Sequence, residues 1–200
     1  MKCELCEKDA VFNCRICRKP LCEGHIRLQA ICTSCVKESP HLDFRIEKVT
    51  SDKERYRIRD FVRSYWGEEE QLTFDRKLIV AELPAYVSKV NQEIAGFIAF
   101  TELNDAMLIA ALGVLPRCQG QGMGKNLTGK VETEARKLHK NRLLVSTSND
   151  DLPALAFYQN LGFRIFEVKP NVIAEKHGKI LKGIAGLPVR DELRLQKTLL

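Results

Sequence analysis

The chain of 200 residues has no run of about 18 apolar residues, so a membrane-spanning helix is not expected. Its first residues, Met-Lys-Cys-Glu-Leu-Cys, lack the apolar core of a secretory signal, and we therefore expect a cytoplasmic protein. Internal repeats and low-complexity segments are also missing. Hydrophobic residues make up 44% of the chain and charged residues 29%, which is typical of a soluble protein with one full-sized core and a small appendage.

Cysteine is almost absent from most of the chain. Seven of the eight cysteines lie within the first 35 residues, and Cys118 is the eighth. This change in composition places a domain boundary near Pro40, and we expect a small domain over residues 1–42 and a larger one over 43–200. The net charge of +6 could suit an acidic partner. The basic residues alternate with acidic ones, however, so a solvated surface is favoured over nucleic-acid binding.

The small domain carries four pairs of metal-ligand residues, each with two residues between its members. One pair chelates a metal from a tight turn, and Zn²⁺ takes four such ligands, so the spacing predicts two closed structural zinc sites. A disulfide framework is disfavoured by the odd cysteine number, the histidine in register and the expected compartment. The predicted ligands are Cys3, Cys6, Cys14, Cys17, Cys22, His25, Cys32 and Cys35.

The series of pairs, with Arg-Lys-Pro-Leu before the third, resembles a B-box or related cross-brace zinc finger. The resemblance implies that one ion is held by Cys3, Cys6, Cys22 and His25 and the other by Cys14, Cys17, Cys32 and Cys35. Because the segment has few apolar residues, zinc should supply much of its folding energy. Partner recognition and purely structural support both remain open as its role.

The stretch Val114 to Gly124 organises the larger domain. It follows an apolar strand over 107–115, which Pro116 ends, and it precedes an amphipathic helix. Glycines at alternate positions allow the backbone to approach a ligand, and a helix N-terminus adds free N–H donors, so a phosphate is the expected occupant. The spacing fits neither a Walker A loop nor a Rossmann fingerprint. The alternative is a turn that only packs the helix closely.

With the preceding strand ending Val-x-Pro, this stretch resembles the acetyl-CoA loop of the GCN5-related N-acetyltransferases (GNAT). The resemblance implies an α+β fold, a mixed and mostly antiparallel sheet with a splayed parallel strand pair, flanked by helices. It also implies a bulge near Gly113 and Val114 that opens a gap for coenzyme A. The cofactor-binding residues it implies in this stretch are Val114, Gln119, Gly120, Gln121, Gly122, Met123, Gly124 and Lys125.

Residues 148–163 resemble a second GNAT signature, in which Tyr158 takes the tyrosine position and Gly162-Phe163 ends the motif. Asp151 stands where the family usually has asparagine, so Asn149 is expected to contact the cofactor instead. Asp151 is also expected to cap a helix that ends at Gly162. The alternative for Tyr158 is a buried packing side chain.

The remaining pattern predicts a strand from Phe44, a helix capped by Ser51 or Asp52 and ending near Gly67, and then a loop or second helix. A hairpin over 85–101 and the strand at 107–115 form a meander, Leu143 to Thr147 pairs in parallel with that strand, and the tail forms a final edge strand. Trp66 and Glu68 are weak acceptor-site candidates.

These residues predict transfer of an acetyl group from acetyl-CoA to a primary amine by direct attack. Backbone N–H at Val114 would polarise the carbonyl, N–H groups from Gln119 to Lys125 would hold the pyrophosphate, and Tyr158 would protonate the departing thiolate. Cys118 is expected to be inert. The alternative function is a non-enzymatic acyl-CoA-sensing module joined to a protein-binding finger.

Overall fold

The chain forms two units in the computed structural model, residues 1–41 and 42–200. The structure describes residues 2–10, 12–13, 19–22, 25 and 42–199. In the described part of the first unit, β1 (Phe12–Asn13) pairs antiparallel with β2 (Pro20–Leu21), and Lys2 forms an isolated bridge with Asp9. The side chain of Leu21 is fully buried.

The second unit contains eleven strands and four α-helices among its described residues. In chain order they are β3 (Arg45–Lys48), α1 (Asp52–Trp66), β4 (Glu70–Thr73), β5 (Arg76–Ile79), β6 (Ala85–Val90), β7 (Glu93–Leu103), β8 (Ala106–Val114), α2 (Met123–Lys137), β9 (Arg142–Ser148), α3 (Leu152–Asn160), β10 (Arg164–Lys169), α4 (Val172–His177), β11 (Leu181–Lys182), β12 (Pro188–Val189) and β13 (Glu192–Thr198).

Seven strands form the central sheet in the order β10-β13-β9-β8-β7-β6-β3. The pair β8–β9 is parallel and the other pairs are antiparallel. Helix α2 makes the crossover between the two parallel strands, as expected for a parallel connection. The predicted mixed sheet with one parallel pair, flanked by helices, is confirmed.

Apolar side chains cover both faces of the sheet. On one face, Ile58 and Val62 of α1 pack with Phe97 of β7. On the other face, side chains of α2 and α3 pack with strands β6 to β9 and β13, and Leu127 and Val131 of α2 are fully buried there. None of the described helices is long and apolar enough to cross a membrane.

The local signals for α1 and for the hairpin β6–β7 are confirmed. Ser51 caps α1 by accepting the N–H of Glu54, and Gly67 ends it in the left-handed conformation. Asn91 and Gln92 both have positive φ, which is the backbone of a tight two-residue hairpin turn.

Two predictions about the sheet and its cover are wrong. The tail strand β13 is not at the edge, because it inserts between β9 and β10, and its Leu195 is fully buried. The segment after Gly67 is neither a loop nor a helix but the hairpin β4–β5, whose turn residues Phe74 and Asp75 have positive φ. Its tip is held by residues more than a hundred positions away, so local sequence patterns gave no signal for it.

Candidate active site

The parallel strands β8 and β9 separate part of the way along their length. They pair only over 106–109 and 142–145, and a bulge places Ala110 out of register with β7 at the point of separation. The predicted bulge near Gly113 and Val114 is therefore wrong in position, since both residues pair regularly with β7. The predicted gap between the strands is present, and it begins three residues earlier than expected.

The backbone of β8 directs polar groups into this gap. The N–H of Leu115 donates to the carbonyl of Ala95 on β7 at 2.8 Å. Because an antiparallel ladder alternates, the N–H of Leu112 points away from β7 and towards the gap. The carbonyl of Val114 also points away from β7 and accepts the side-chain amide of Gln119 at 2.9 Å.

The glycine-rich turn continues directly from β8. A short 3₁₀ turn over Pro116–Cys118 is followed by Gln119, whose N–H donates to the carbonyl of Pro116 at 3.3 Å. Gln119 therefore holds the turn together through both its main chain and its side chain. Gly120 and Gly122 have φ of 79° and 81°, values that favour glycine, and Gly122 is the N-cap of α2.

The start of α2 presents a row of unused N–H donors. The first N–H donated inside the helix is that of Asn126, to the carbonyl of Gly122 at 2.9 Å. Among the described residues, none of the N–H groups of 120–125 donates to a protein acceptor. This set contains Gln121, Met123 and Lys125, and it meets the positive end of the helix dipole, so it suits an anion.

Gly124 has a packing role as well. A Cβ at this position would lie 3.1 Å from Cζ of Phe157 on α3 and 4.0 Å from Cδ2 of Leu112 on β8. The glycine therefore lets α2 begin close to α3 and to the gap. The packing interpretation of the turn thus holds for Gly124, in addition to the anion-binding interpretation of its neighbours.

A cavity of about 310 Å³ occupies the gap and extends under the segments that cover it. Its walls come from the separated ends of β8 and β9, from α3, from the hairpin β4–β5, and from the chain between β10 and β13. The lining residues are Glu68, Gln71, Leu72, Thr73, Ile109, Ala110, Ala111, Leu112, Val145, Ser146, Thr147, Ser148, Asp151, Ala154, Tyr158, Ile173, Lys176, His177, Leu181, Val189 and Glu192.

Tyr158 lies on α3 with its side chain 6% exposed and against this cavity. Its ring meets those of Phe157 and Phe163 edge to face, at centroid distances of 5.1 and 5.5 Å. Burial, followed by the nearby charge of Asp151, raises the pKa of Tyr158 well above its ordinary value. The phenol is therefore protonated at neutral pH, as an ordinary tyrosine also is, and it holds this proton more firmly.

Asp151 caps α3, as predicted, by accepting the N–H of Ala154 at 3.0 Å. An asparagine would accept the same bond, so the aspartate preserves the helix start while adding a charge. Burial raises the pKa of the Asp151 carboxyl, although the bond from Ala154 opposes the rise.

Asn149 makes contacts that differ from the expected one with the cofactor. Its side-chain oxygen accepts the N–H groups of Arg190 and Asp191 at 3.0 and 2.9 Å, and its amide donates to the carbonyl of Pro188 at 2.7 Å. The neighbouring Asp150 is buried and accepts the N–H of Ile184 at 3.0 Å. These two residues tether the segment before β13, and the contact of Asn149 with the cofactor remains a prediction from the sequence.

The hairpin β4–β5 covers the end of β9 and is held there by polar contacts. The hydroxyls of Thr73 and Ser146 are 2.8 Å apart. At the turn, the N–H of Phe74 donates to Oε1 of the buried Glu192 at 3.0 Å. Arg194 lies 4.8 Å from the Phe74 ring centroid and pairs with Glu192, so the tip of the hairpin rests on two charged residues of β13.

The short helix α4 closes another side of the cavity. Lys176 of α4 pairs with Glu68, and its amine also donates to the carbonyl of Glu70 at 3.4 Å. The structure thus places Glu68 on the cavity wall, where the sequence reading had it as a weak acceptor-site candidate. The side chain of Trp66, the other candidate, lies outside the described residues. Sequence reasoning missed the cavity residues of α4, because no local motif marks that segment.

Other reactive side chains lie away from this cavity. Glu102 pairs with Lys140 and Asp105 with Arg142, beside the paired ends of the strands instead of the separated ends. Cys118 is 4% exposed and packs in an apolar cluster with other side chains, so the structure gives it a packing position.

In the first unit, the structure brings together four of the eight predicted metal ligands. The ligand atoms of Cys3, Cys6, Cys22 and His25 all lie within 4.8 Å of one another. Nδ1 of His25 is 3.5 Å from the sulfurs of Cys3 and Cys22, and the sulfurs of Cys6 and Cys22 are 3.6 Å apart. The other predicted ligands, Cys14, Cys17, Cys32 and Cys35, lie outside the described residues.

Three comparisons with known proteins agree with this geometry. A model of the Acetyltransferase (GNAT) family matches residues 50–163, which is more than half of the chain. The uncharacterized protein YdhI of Bacillus subtilis (strain 168) is 29% identical over 153 residues, covering 72% of this chain and 92% of the relative.

Two solved structures share the fold. A Bacillus subtilis acetyltransferase in complex with CoA has a TM-score of 0.60 and 23% identity, covering 79% of this chain and 100% of that one. A GNAT family acetyltransferase from Elizabethkingia anophelis with acetyl-CoA bound has a TM-score of 0.59 and 20% identity, covering 78% and 98%.

Proposed function

The chain belongs to the acetyltransferase (GNAT) family, and from that premise we propose that it moves an acetyl group from acetyl-CoA to a primary amine. The observation that carries the proposal is the gap between β8 and β9, whose cavity is lined by both Leu112 and Tyr158. The start of α2 lies beside it, since a Cβ at Gly124 would be 4.0 Å from Cδ2 of Leu112. A coenzyme A molecule has the matching parts in the same order: a pyrophosphate, a thin pantetheine arm and a reactive thioester.

Different residues along the gap would bind different parts of acetyl-CoA. The N–H groups of residues 120–125 would bind the pyrophosphate, and the exposed Lys125 adds positive charge beside them. The arm would lie between the separated strands. The N–H groups of Leu112 and of the predicted Val114 lie on the same side of β8, away from β7, and would polarise the thioester carbonyl.

Direct attack by the amine needs no enzyme nucleophile. The amine nitrogen attacks the thioester carbon, the C–S bond breaks with its electron pair on sulfur, and Tyr158 supplies the proton that completes the thiol. The packed position of Cys118 agrees with this route. The non-enzymatic alternative depended mainly on the departure at Asp151, but Asp151 still caps α3, so the departure leaves the helix that carries Tyr158 intact.

The test is thiol release from acetyl-CoA by the full-length, zinc-loaded protein. The acceptors are a panel of polyamines, amino acids, aminoglycosides, and lysine or N-terminal peptides. We expect release with one of these classes and a fall of about 10²-fold or more in kcat for Tyr158→Phe. Coenzyme A affinity, measured by calorimetry, should change little. Phe157→Leu, a neighbouring change away from the hydroxyl, serves as the packing control.

Coenzyme A binding without acceptor-dependent release would favour the sensing module instead. Equal turnover in wild type and Tyr158→Phe would remove the acid role from Tyr158 while leaving acetyl transfer in place. Release that disappears in Cys118→Ala, with unchanged coenzyme A affinity, would replace direct attack by a covalent route.

We further propose that Cys3, Cys6, Cys22 and His25 hold one structural Zn²⁺. In a tetrahedral site with ordinary zinc bond lengths, sulfurs lie about 3.8 Å apart and a sulfur lies about 3.6 Å from a nitrogen. The observed separations of 3.5 and 3.6 Å fit this geometry.

The second site, built from Cys14, Cys17, Cys32 and Cys35, remains a prediction from the sequence spacing. Two zinc ions per chain are therefore expected by elemental analysis. Cys22→Ser should remove one of them and Cys118→Ser neither, because Cys118 lies in the other unit. A zinc content of two in Cys22→Ser would refute the ligand set. With all positions filled by protein, such sites support structure or a protein partner instead of catalysis.

A further inference from the structure

Three carboxylates line the cavity, and two of them already have cationic partners. Glu68 pairs with Lys176. Glu192 pairs with Arg194, whose Nε lies 2.9 Å from its Oε2. Asp151 accepts one backbone N–H and, within the part of the chain that the structure describes, forms no ion pair with a basic side chain. The cavity therefore has one carboxylate whose charge is available to a ligand.

The separated ends of β8 and β9 offer no ionisable side chain. Residues 109–112 of β8 are apolar, and residues 145–148 of β9 are a valine followed by hydroxyl side chains. A group that accepts a proton from the acceptor must come from the segments around the gap. Apart from the paired Glu68 and Glu192, the described residues offer Asp151 on α3 and His177 on α4.

Asp151 is better placed than His177 for this work. Asp151, the N-cap of α3, and Tyr158, near the end of that helix, both line the cavity and are seven residues apart. Burial raises the pKa of Tyr158, and the nearby charge of Asp151 adds to the rise. His177 is exposed on the short helix α4. The other charged groups near Asp151 are Asp150 beside it and the paired Lys176, Glu68 and Glu192 on the opposite walls.

We propose that Asp151 binds the acceptor amine as a cation and takes its proton before attack, so that the substrates are small amines that are positively charged in solution. This assignment rests on the acetyl transfer proposed above. An alkylammonium group has three N–H protons and the amide product has one. One proton passes to the Asp151 carboxylate and then to water. The second leaves the nitrogen as the C–N bond forms and restores the proton that Tyr158 gives to sulfur.

The decisive variant is Asp151→Asn, because asparagine keeps the size and the helix cap but removes the charge. With an alkylamine from the panel, we expect kcat/KM at pH 7 to fall by about 10²-fold or more. The variant can then use only amine that is already neutral in solution. Its log(kcat/KM) should rise with a slope of one up to the amine's own pKa, so the defect shrinks as the pH rises. The free energy of unfolding and the coenzyme A affinity should match those of wild type.

Two controls make the readout specific. An arylamine is neutral at pH 7, so Asp151→Asn should affect its acetylation much less than that of the alkylamine. His177→Gln should keep the wild-type pH profile. If wild type is active and Asp151→Asn has the same kcat/KM and pH profile as wild type, the assignment of Asp151 is wrong while acetyl transfer stands. The same conclusion follows if His177→Gln, and not Asp151→Asn, changes the wild-type pH profile. If wild type binds coenzyme A but releases no thiol with any amine, both proposals fail.

Discussion

Replacing Arg194 by methionine tests the contacts that hold the cover of the cavity. The Arg194 side chain is 5% exposed, and its guanidinium is surrounded by carboxylates. It lies 3.0 Å from Glu167 and 2.9 Å from both Glu192 and Asp75. Methionine keeps most of the side-chain volume, while it removes the charge, the hydrogen bonds and the guanidinium that lies over the Phe74 ring.

The magnitude follows from the burial of Glu192. This residue has 4% of its side chain exposed, so losing Arg194 leaves a buried charge without a partner. Breaking such a pair costs about 3–5 kcal/mol of unfolding free energy. The pairs with Glu167 and Asp75 contribute little, because these carboxylates are 36% and 64% exposed. We therefore expect Arg194→Met to lower the unfolding free energy by about 3–5 kcal/mol.

Stability is measured by urea unfolding at pH 7. The second measurement is KM for the amine that the wild-type protein acetylates fastest. Since the tip of the hairpin β4–β5 rests on Arg194 and Glu192, KM for the acceptor should rise with coenzyme A affinity little changed. Adding Glu192→Gln to Arg194→Met should recover part of the stability by removing the unpaired charge. Arg190→Met, which breaks a more exposed pair with Asp191, is the control and should cost about 1 kcal/mol at most. A loss below about 1 kcal/mol for Arg194→Met would refute the reasoning.

Two further predictions concern the scaffold. Gly129 lies inside α2, and a Cβ added there would have no other atom within 4 Å. Gly129→Ala should therefore raise the unfolding free energy, measured in urea, by about 0.5–1 kcal/mol, and a lower unfolding free energy would contradict the open space at this position. The hydrogen bond from Lys89 lowers the pKa of Glu54 to about 2, so the carboxylate stabilises the fold above pH 4.5 and this contribution is lost as the pH falls towards 2. Glu54→Gln should therefore lower the unfolding free energy by up to about 3 kcal/mol at pH 7, and its difference from wild type should shrink at acid pH. The control is Glu47→Gln, which should cost less than about 1 kcal/mol because the Glu47 side chain is 40% exposed. Equal costs for the two variants would contradict the pairing of Glu54 with Lys89.

The parts of the fold that were predicted correctly are those with local causes. Helix α1 has its cap at Ser51 and its stop at Gly67 within the segment itself. The hairpin turn at Asn91 and Gln92 and the start of α2 also depend on residues a few positions apart. The same holds for Asp151, whose bond to Ala154 spans one helical turn.

The parts that were missed depend on contacts between distant segments. Strand β13 lies inside the sheet because it pairs with β9 and β10, which no alternation within its own sequence shows. The bulge at Ala110 depends on the register of β8 with β7. The bulge was predicted near Gly113 instead, because that position is a glycine close to the end of the strand. The contacts of Asn149 could not be predicted either, because its partners lie about 40 residues away in the chain before β13. Sequence patterns predicted the gap and the helix that carries Tyr158 to its wall, while the cover of the cavity could not be derived from them.

The four residue pairs between β8 and β9 also decide how the sheet responds to a ligand. Among the residues that the structure describes, they alone join the halves β3-β6-β7-β8 and β9-β13-β10 by a β-ladder, so we expect the sheet to be weakest along this line. A molecule that forms hydrogen bonds to both strands would take the place of the missing ladder. Any such molecule at a hundred times its Kd adds about 2.7 kcal/mol to the unfolding free energy, whether or not an amine is present. Thermal melting can therefore rank acyl-CoA donors before the acceptor is known.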